Sequence, residues 1–176
     1  MESVTTVTLD QKRYTWDGTK WYGTDDYIKP PLAIIPQLHA LIEAQVTAED
    51  AVISDQYELF IRAKAAATSG QRQRAEKLAR KAYEQNPSNS GRAAAFCSIL
   101  RQIGSSEQAL GIADLHKNDG YAPILTSRSA ALCDLERWDE AFRQIRQVLA
   151  IKENDEPALL VLSRIKSKAP QLFDES

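Results

Sequence analysis

Two glycines, Gly70 and Gly104, stand 34 residues apart, and each lies five residues before an alanine, Ala75 and Ala109, that keeps the same spacing. A fixed period of this length implies one supersecondary unit stacked on copies of itself, because a single unit cannot bury its apolar face alone. Ala141 continues the series 32 residues further on, preceded by Trp138, Asp139 and Glu140. Apolar residues recur at helical spacing within each period. In the first, Leu59, Phe60, Ala63 and Ala66 precede Gly70, and Ala75, Leu78, Ala79 and Ala82 follow it until Asn86-Pro87 stops the chain. The second period carries Phe96, Ile99, Leu100 and Ile103, then Ala109, Ile112, Ala113 and Leu115. The third carries Ile124, Leu125, Ala131, Leu132 and Leu135, then Ala141, Ile145, Val148 and Leu149. Each unit therefore reads as two helices joined by a turn, with small alanines where they cross.

These residues resemble the tetratricopeptide repeat family. The match is best in the first unit, where Gly70, Ala75, Ala82 and Pro87 sit at the family spacing, and Trp138 to Phe142 reads like the start of the family's second helix. The second unit is two residues short and lacks a closing proline, and Arg62 and Arg128 stand where the family usually has an apolar residue. The resemblance implies a mainly α fold over 56–168. It would be an α-α superhelix of about three helical hairpins, at 56–89, 90–121 and 122–155. A solvating capping helix at 156–168 would open at Pro157, leaving a tail at 169–176.

The first 30 residues differ in kind. Val7, Leu9, Tyr14, Trp16, Trp21 and Tyr22 sit in alternating runs rich in β formers, and Asp17-Gly18 between two such runs is a strong hairpin signal. A small three-stranded antiparallel meander over residues 4–22 is expected, with a W-D-G-x-x-W core that resembles short Trp-bearing hairpins appended to many bacterial proteins. So small a sheet is marginal alone. Its aromatic cluster, Tyr14, Trp16, Trp21 and Tyr22, must therefore pack against the following helix, the repeats or another chain. A miniature core is the favoured reading over a ligand-stacking surface. Pro30-Pro31 then opens a linking helical segment over 31–55, in which Leu32 to Gln45 forms an amphipathic helix through Ile34, Ile35, Leu38, Leu41 and Ile42. A further helix opening near Thr47 and Asp50 would either run into the first repeat or break near Ser54-Asp55, so residues 47–69 read as one helix or two.

Chemistry is sparse. No GxxxxGK[ST], GxGxxG or GxSxG occurs. His39 and His116 lie far apart without carboxylate or Cys neighbours at ligand spacing, and read as partly exposed helical residues. The adjacent acids Asp25-Asp26, Glu49-Asp50 and Asp139-Glu140 would diverge by about 100° on a helix, so they read as turn or helix-start residues. Cys97 and Cys133 read as buried small side chains. The expectation is a non-enzymatic chain with no metal and no cofactor. Residues 1–55 hold four Lys/Arg against nine Asp/Glu, and residues 56–176 hold 18 against 15. That excess is far below what nucleic-acid binding requires. With no apolar run near the roughly 20 residues that span a bilayer, a cytoplasmic protein is expected.

What remains is a surface for another protein or peptide. The resemblance implies that the first helices line a concave groove, and the inward-facing candidates are Tyr57, Phe60, Lys64, Ala94, Ser98, Arg101, Thr126, Ala130 and Arg164. An aromatic end and three separated cations would suit a peptide with acidic and apolar residues. The family's clamp for chaperone C-termini uses Lys, Asn and Arg at positions that here hold Phe60, Ala95, Pro123 and Ser127, with only Lys64 suitably charged, so that clamp is excluded. A convex basic patch comprises Arg72, Arg74, Lys77, Arg80 and Lys81. The expected role is a protein-binding scaffold. The alternative is a module that self-associates through its Trp-rich hairpin, and an enzyme built on the helical array is the third reading.

Overall fold

The N-terminal β formers pair as a three-stranded antiparallel sheet in the order β1 (Thr5–Leu9), β2 (Lys12–Trp16), β3 (Trp21–Gly23). The structure is a computed structural model that describes residues 5–17 and 19–173. Residue 4 and Gly18 of the expected meander lie outside that range. The two-residue turn of the first hairpin is Asp10-Gln11, both left-handed at φ 48° and 65°, which closes Leu9 onto Lys12. Left-handed geometry at both central positions matches the right-handed twist of the flanking strands. The second connection is held by Asp17, whose Oδ1 accepts from the backbone N–H groups of Thr19 and Lys20, each at 2.9 Å.

Strand alternation sends Val7, Tyr14 and Trp21 to one face, and Leu38 completes a buried cluster with them. Leu38 belongs to α1 (Ile35–Val52), one continuous helix behind a 3-10 turn at Leu32–Ile34. No second helix opens at Thr47, and Glu49-Asp50 sits in the last turns of α1 rather than at a helix start. The chain turns extended at Ile53, φ −70° and ψ 121°. Residues 47–69 are therefore the end of one helix and the whole of the next. The segment 31–55, read from sequence as a link, supplies the helix that covers the sheet, in a unit that ends at Ile53; a second unit begins at Ser54.

The second unit contains α2 (Gln56–Thr68), α3 (Arg72–Glu84), α4 (Ser90–Gln102), α5 (Ser106–Leu115), α6 (Ala122–Asp134), α7 (Trp138–Ile151) and α8 (Glu156–Lys168). Helices pack as antiparallel pairs α2/α3, α4/α5 and α6/α7, and the first helices α2, α4, α6 and α8 stack on one another. Local chemistry sets both ends of these first helices. Asp55, Asn89 and Asp155 cap α2, α4 and α8, each accepting from the N–H three residues on, a bond whose loss destabilises a helix by about 1 kcal/mol. At the other end one turn recurs three times. Gln71 donates to the carbonyl of Ala66, Ser105 to that of Leu100 and Arg137 to that of Leu132, at 2.8–2.9 Å. The residue before each donor is left-handed: Gly70 at φ 76°, Gly104 at 84° and Glu136 at 59°.

Ala63, Ala66, Ala75, Ala79, Ala93, Ala109 and Ala141 are buried where helices cross, with Leu59, Phe96, Leu100, Ile124, Leu132 and Ile145 between them. Fully burying each of these large side chains stabilises by about 1.5–3 kcal/mol. Counted from the caps Asp55 and Asp155, Ser163 and Lys166 of α8 stand where α2 has Ala63 and Ala66. A further helix would meet a hydroxyl and an ammonium there. Phe173, in a final 3-10 turn, instead packs on Phe142 of α7 with ring centroids 4.7 Å apart. The outer surface of α8 is not purely polar, since Leu159 and Leu160 are exposed.

Candidate functional site

The face formed by the first helices of the repeat unit divides into three kinds of position. On α2, Tyr57, Ile61 and Lys64 lie four and three residues apart and so share one side of the helix. Tyr57 is 74% and Ile61 54% exposed, and Lys64 is exposed beside them, while Phe60 is half-buried. Ile61 escaped the sequence reading because the repeat alignment alone does not show that this neighbour of Phe60 stays open. Ala94, Thr126 and Ala130 are buried, so these three candidates are packing residues between the stacked helices rather than groove surface. The small side chains that let α4 and α6 approach also bring neighbouring helices over them. Ser98 is exposed.

The expected three separated cations are not separate. Arg101 on α4 donates from Nε to Oδ2 of Asp134 on α6 at 2.6 Å, and from Nη2 to Oδ1 at 3.4 Å. Arg164 on α8 donates from Nη1 to Oδ1 of the same carboxylate at 2.5 Å. Ser106 at the start of α5 adds a 3.2 Å bond to Oδ2. Partial burial pushes the Asp134 carboxyl up, but the hydrogen bonds from Arg101 and Arg164 outweigh it and hold it below the ordinary value. Arg164 also faces the ring of Trp138 at 5.9 Å. Only Lys64 stands apart. Asp134 was missed from sequence because its partners lie 33 and 30 residues away on two other helices.

The convex basic patch on α3 is likewise partly tied down. Arg80 pairs with Glu76 at 2.8 Å and lies over the Phe96 ring at 5.3 Å. Arg74 bonds Gln71 at 3.0 Å, Lys81 is half-buried, and Arg72 and Lys77 are exposed. Arg128, unexpected at an apolar position, is accommodated by Asp114 at 2.7 Å and Gln144 at 3.2 Å.

In the first unit the aromatic cluster separates by face. Tyr14 and Trp21 are buried with Leu38, and Trp16 packs against them. The Trp21 Nε1–H donates to Nε2 of His39 at 3.2 Å, and the His39 ring stands edge-on to Trp16 and Trp21 at 5.3 and 5.5 Å. Tyr22 stacks on Tyr27, centroids 5.7 Å apart. The following helix, one of the packing surfaces expected from sequence, covers these tryptophans through Leu38 and His39 of α1.

His116 departs from expectation. It is buried at the C-terminus of α5, and its Nδ1 lies 2.8 Å from Oδ2 of Asp119, which also accepts from Ser90 Oγ at 2.6 Å. These bonds to Ser90 and His116 lower the Asp119 pKa. The three residue types of a hydrolytic triad are present, but the serine bonds the carboxylate and not the imidazole, so His116 is not placed to take its proton. Burial pushes the Cys97 and Cys133 thiols up to about 12 and about 11, well away from reactivity. Among the described residues no group of three His, Cys, Asp or Glu could hold a metal ion, and no helix is long and apolar enough to cross a membrane.

No protein-family model and no curated protein sequence matches this chain. Solved structures do. The Sgt2 TPR domain from Aspergillus fumigatus matches with a TM-score of 0.58 at 17% identity, over 69% of this chain and 83% of its own. The Arabidopsis OM64 TPR domain matches with a TM-score of 0.54 at 16% identity, over 64% of this chain and 95% of its own. The first TPR of Spaghetti (RPAP3), bound to the HSP90 peptide SRMEEVD, matches with a TM-score of 0.53 at 20% identity, over 64% of this chain and 91% of its own. The helical unit thus has the tetratricopeptide repeat fold, an α-α superhelix, preceded in the chain by a three-stranded sheet.

Proposed function

We propose that this tetratricopeptide array is a cytoplasmic protein-binding adaptor whose first helices capture an acidic, apolar-anchored segment of another protein. The observation that carries the reading is the stripe Tyr57, Ile61, Lys64 on α2. A large aromatic and an aliphatic side chain stand open on a helix face, next to an exposed ammonium. Exposed apolar side chains grouped with a polar rim mark interaction sites, and tyrosines are common anchors in them. Support also comes from the structural neighbour that carries an HSP90 peptide. The same peptide chemistry does not transfer whole, because Phe60, Ala95, Pro123 and Ser127 cannot supply the amide and cationic groups of the chaperone clamp. The partner is therefore a different segment, with apolar contacts at the α2 end.

Affinity capture from the native cell extract, read by mass spectrometry, tests this with the full chain and with the double variant Tyr57→Ala/Lys64→Glu. Both positions are exposed, so the helical circular-dichroism signal should persist while the partner is lost. Equal recovery of the same partner by both proteins would remove the α2 face from the site.

A further inference from the structure

The three-stranded sheet has two edges, and the chain folds its own loop over only one of them. The N–H of Thr24 donates to the carbonyl of Arg13 at 3.0 Å, so Arg13 turns its backbone groups to β3 and its neighbours Lys12 and Tyr14 turn theirs to β1. Gly23, paired with Tyr14, therefore faces outward from β3. Its N–H and C=O are taken by the carbonyl of Ile28 at 2.8 Å and the N–H of Tyr27 at 2.9 Å. On the other edge, Leu9 and Val7 pair with Lys12 and Tyr14 and face β2, which leaves Thr6 and Thr8 turned away from the sheet. Both threonines are exposed. No described residue bonds their outward N–H and C=O groups.

Such a row of open donors and acceptors is a template for another strand, and natural edges are usually blunted by charge, proline or a bulge. β1 has none of these, since Thr5–Leu9 reads TTVTL and pairs with β2 in unbroken register. The tryptophans of the hairpin are covered by α1, so what the sheet offers a second chain is its edge and not its aromatic rings. Nothing at this edge selects a foreign peptide by charge, because the cations of the adjoining strand, Lys12 and Arg13, are paired with Asp26 and Asp25. The strand does complement itself. An antiparallel copy centred on Val7 sets Thr6 against Thr8 of the second copy and Thr8 against its Thr6, so all four outward groups of each copy are bonded. On the outer face the side chains meet as threonine pairs, which are favourable across strands. On the inner face Val7 meets Val7 at the closer, non-hydrogen-bonded spacing, continuous with the buried cluster of Val7, Tyr14, Trp21 and Leu38. We propose that β1 pairs with β1 of a second copy of this chain, antiparallel about Val7, to give one six-stranded sheet. Three strands alone are marginal, and the pairing doubles the sheet without drawing on the peptide face of α2.

Sedimentation velocity on the full chain across a dilution series should show a reversible dimer. Thr6→Lys/Thr8→Lys sets ammonium against ammonium twice across the two-fold axis and should shift the dimer to monomer. Both positions are exposed, so the tryptophan emission should stay in place. Register is read by crosslinking. Thr6→Cys mixed with Thr8→Cys should form a disulfide under mild oxidation, because opposed residues of a hydrogen-bonded pair have Cα atoms about 5.5 Å apart. Either variant alone should form little, because its two thiols then lie on a diagonal of about 7–8 Å. Cys97 and Cys133 are buried and do not compete. If the lysine variant loses the tryptophan signal, the crosslinking pattern decides alone. A monomer throughout the dilution series overturns the proposal and leaves the edge to a strand from another protein. A dimer that survives Thr6→Lys/Thr8→Lys overturns it too, as does equal crosslinking by the mixture and by each cysteine variant alone.

Discussion

Glu136 holds, at φ 59°, the turn position that Gly70 and Gly104 hold in the two preceding repeats. No atom lies within 4 Å of a Cβ built on Gly70 or Gly104, so glycine is favoured there by backbone angle and not by space. A non-glycine residue in this conformation is strained by about 1 kcal/mol. Glu136→Gly should therefore raise the stability of the helical unit by about 0.5–1 kcal/mol, less than the full strain because glycine also loosens the unfolded chain. Urea unfolding would show this as a higher midpoint at unchanged slope. A lower midpoint would mean that the Glu136 side chain contributes more than its backbone loses. The third turn was hidden from sequence for the same reason. Two glycines made a 34-residue period visible, whereas a glutamate in the same conformation carries no residue-type signature. The link between His116 and Asp119 was hidden differently, since a helix-based search overlooks a pair that forms in the turn just after α5 ends.

At the scale of elements, the periodicity was legible where one helix buries one face, as in α2 and α3, and where a glycine or a proline ends a helix. What crosses between helices was not. Ala94, Thr126 and Ala130 occupy inward positions by period alone, yet neighbouring helices bury them. Arg101, Asp134 and Arg164 are ordinary charged residues until α4, α6 and α8 stack. Their network has a pH signature. The folded pKa of Asp134 is depressed, so its contribution is fully present above the unfolded carboxylate value and is lost as pH falls through the lower folded value. Urea midpoints measured at about pH 7 and about pH 3 should fall less between the two conditions for Asp134→Asn than for the parent, although the variant starts lower at neutral pH. Asp119 and Asp155 are depressed as well and stay in the variant, so acid sensitivity should shrink and not vanish. An identical drop in both proteins would mean that the two arginines do not bond this carboxylate in solution.

At the scale of the whole molecule, the chain carries two cores of very different size. The first is Val7, Tyr14, Trp21 and Leu38 with their half-buried neighbours, and it belongs to the unit that ends at Ile53. The second runs along the helical pairs from Leu59 to Ile165. Neither core shares a residue with the other, so each unit has its own source of stability. A unit of some 50 residues holds only about 2.5–7.5 kcal/mol at usual stabilities per residue. Truncating its fully buried Leu38 to alanine removes about 2–5 kcal/mol of that. Leu38→Ala should therefore unfold or nearly unfold the sheet and α1, shifting the emission of Trp16 and Trp21 to the red as their rings meet water. The helical signal should drop by no more than the share that α1 supplies. Leu100→Ala, in the other core, should instead lower the main helical transition and leave the emission of Trp16 and Trp21 in place. Loss of the whole helical signal in Leu38→Ala would show that the two cores unfold as one cooperative body and that the array depends on the sheet for its stability.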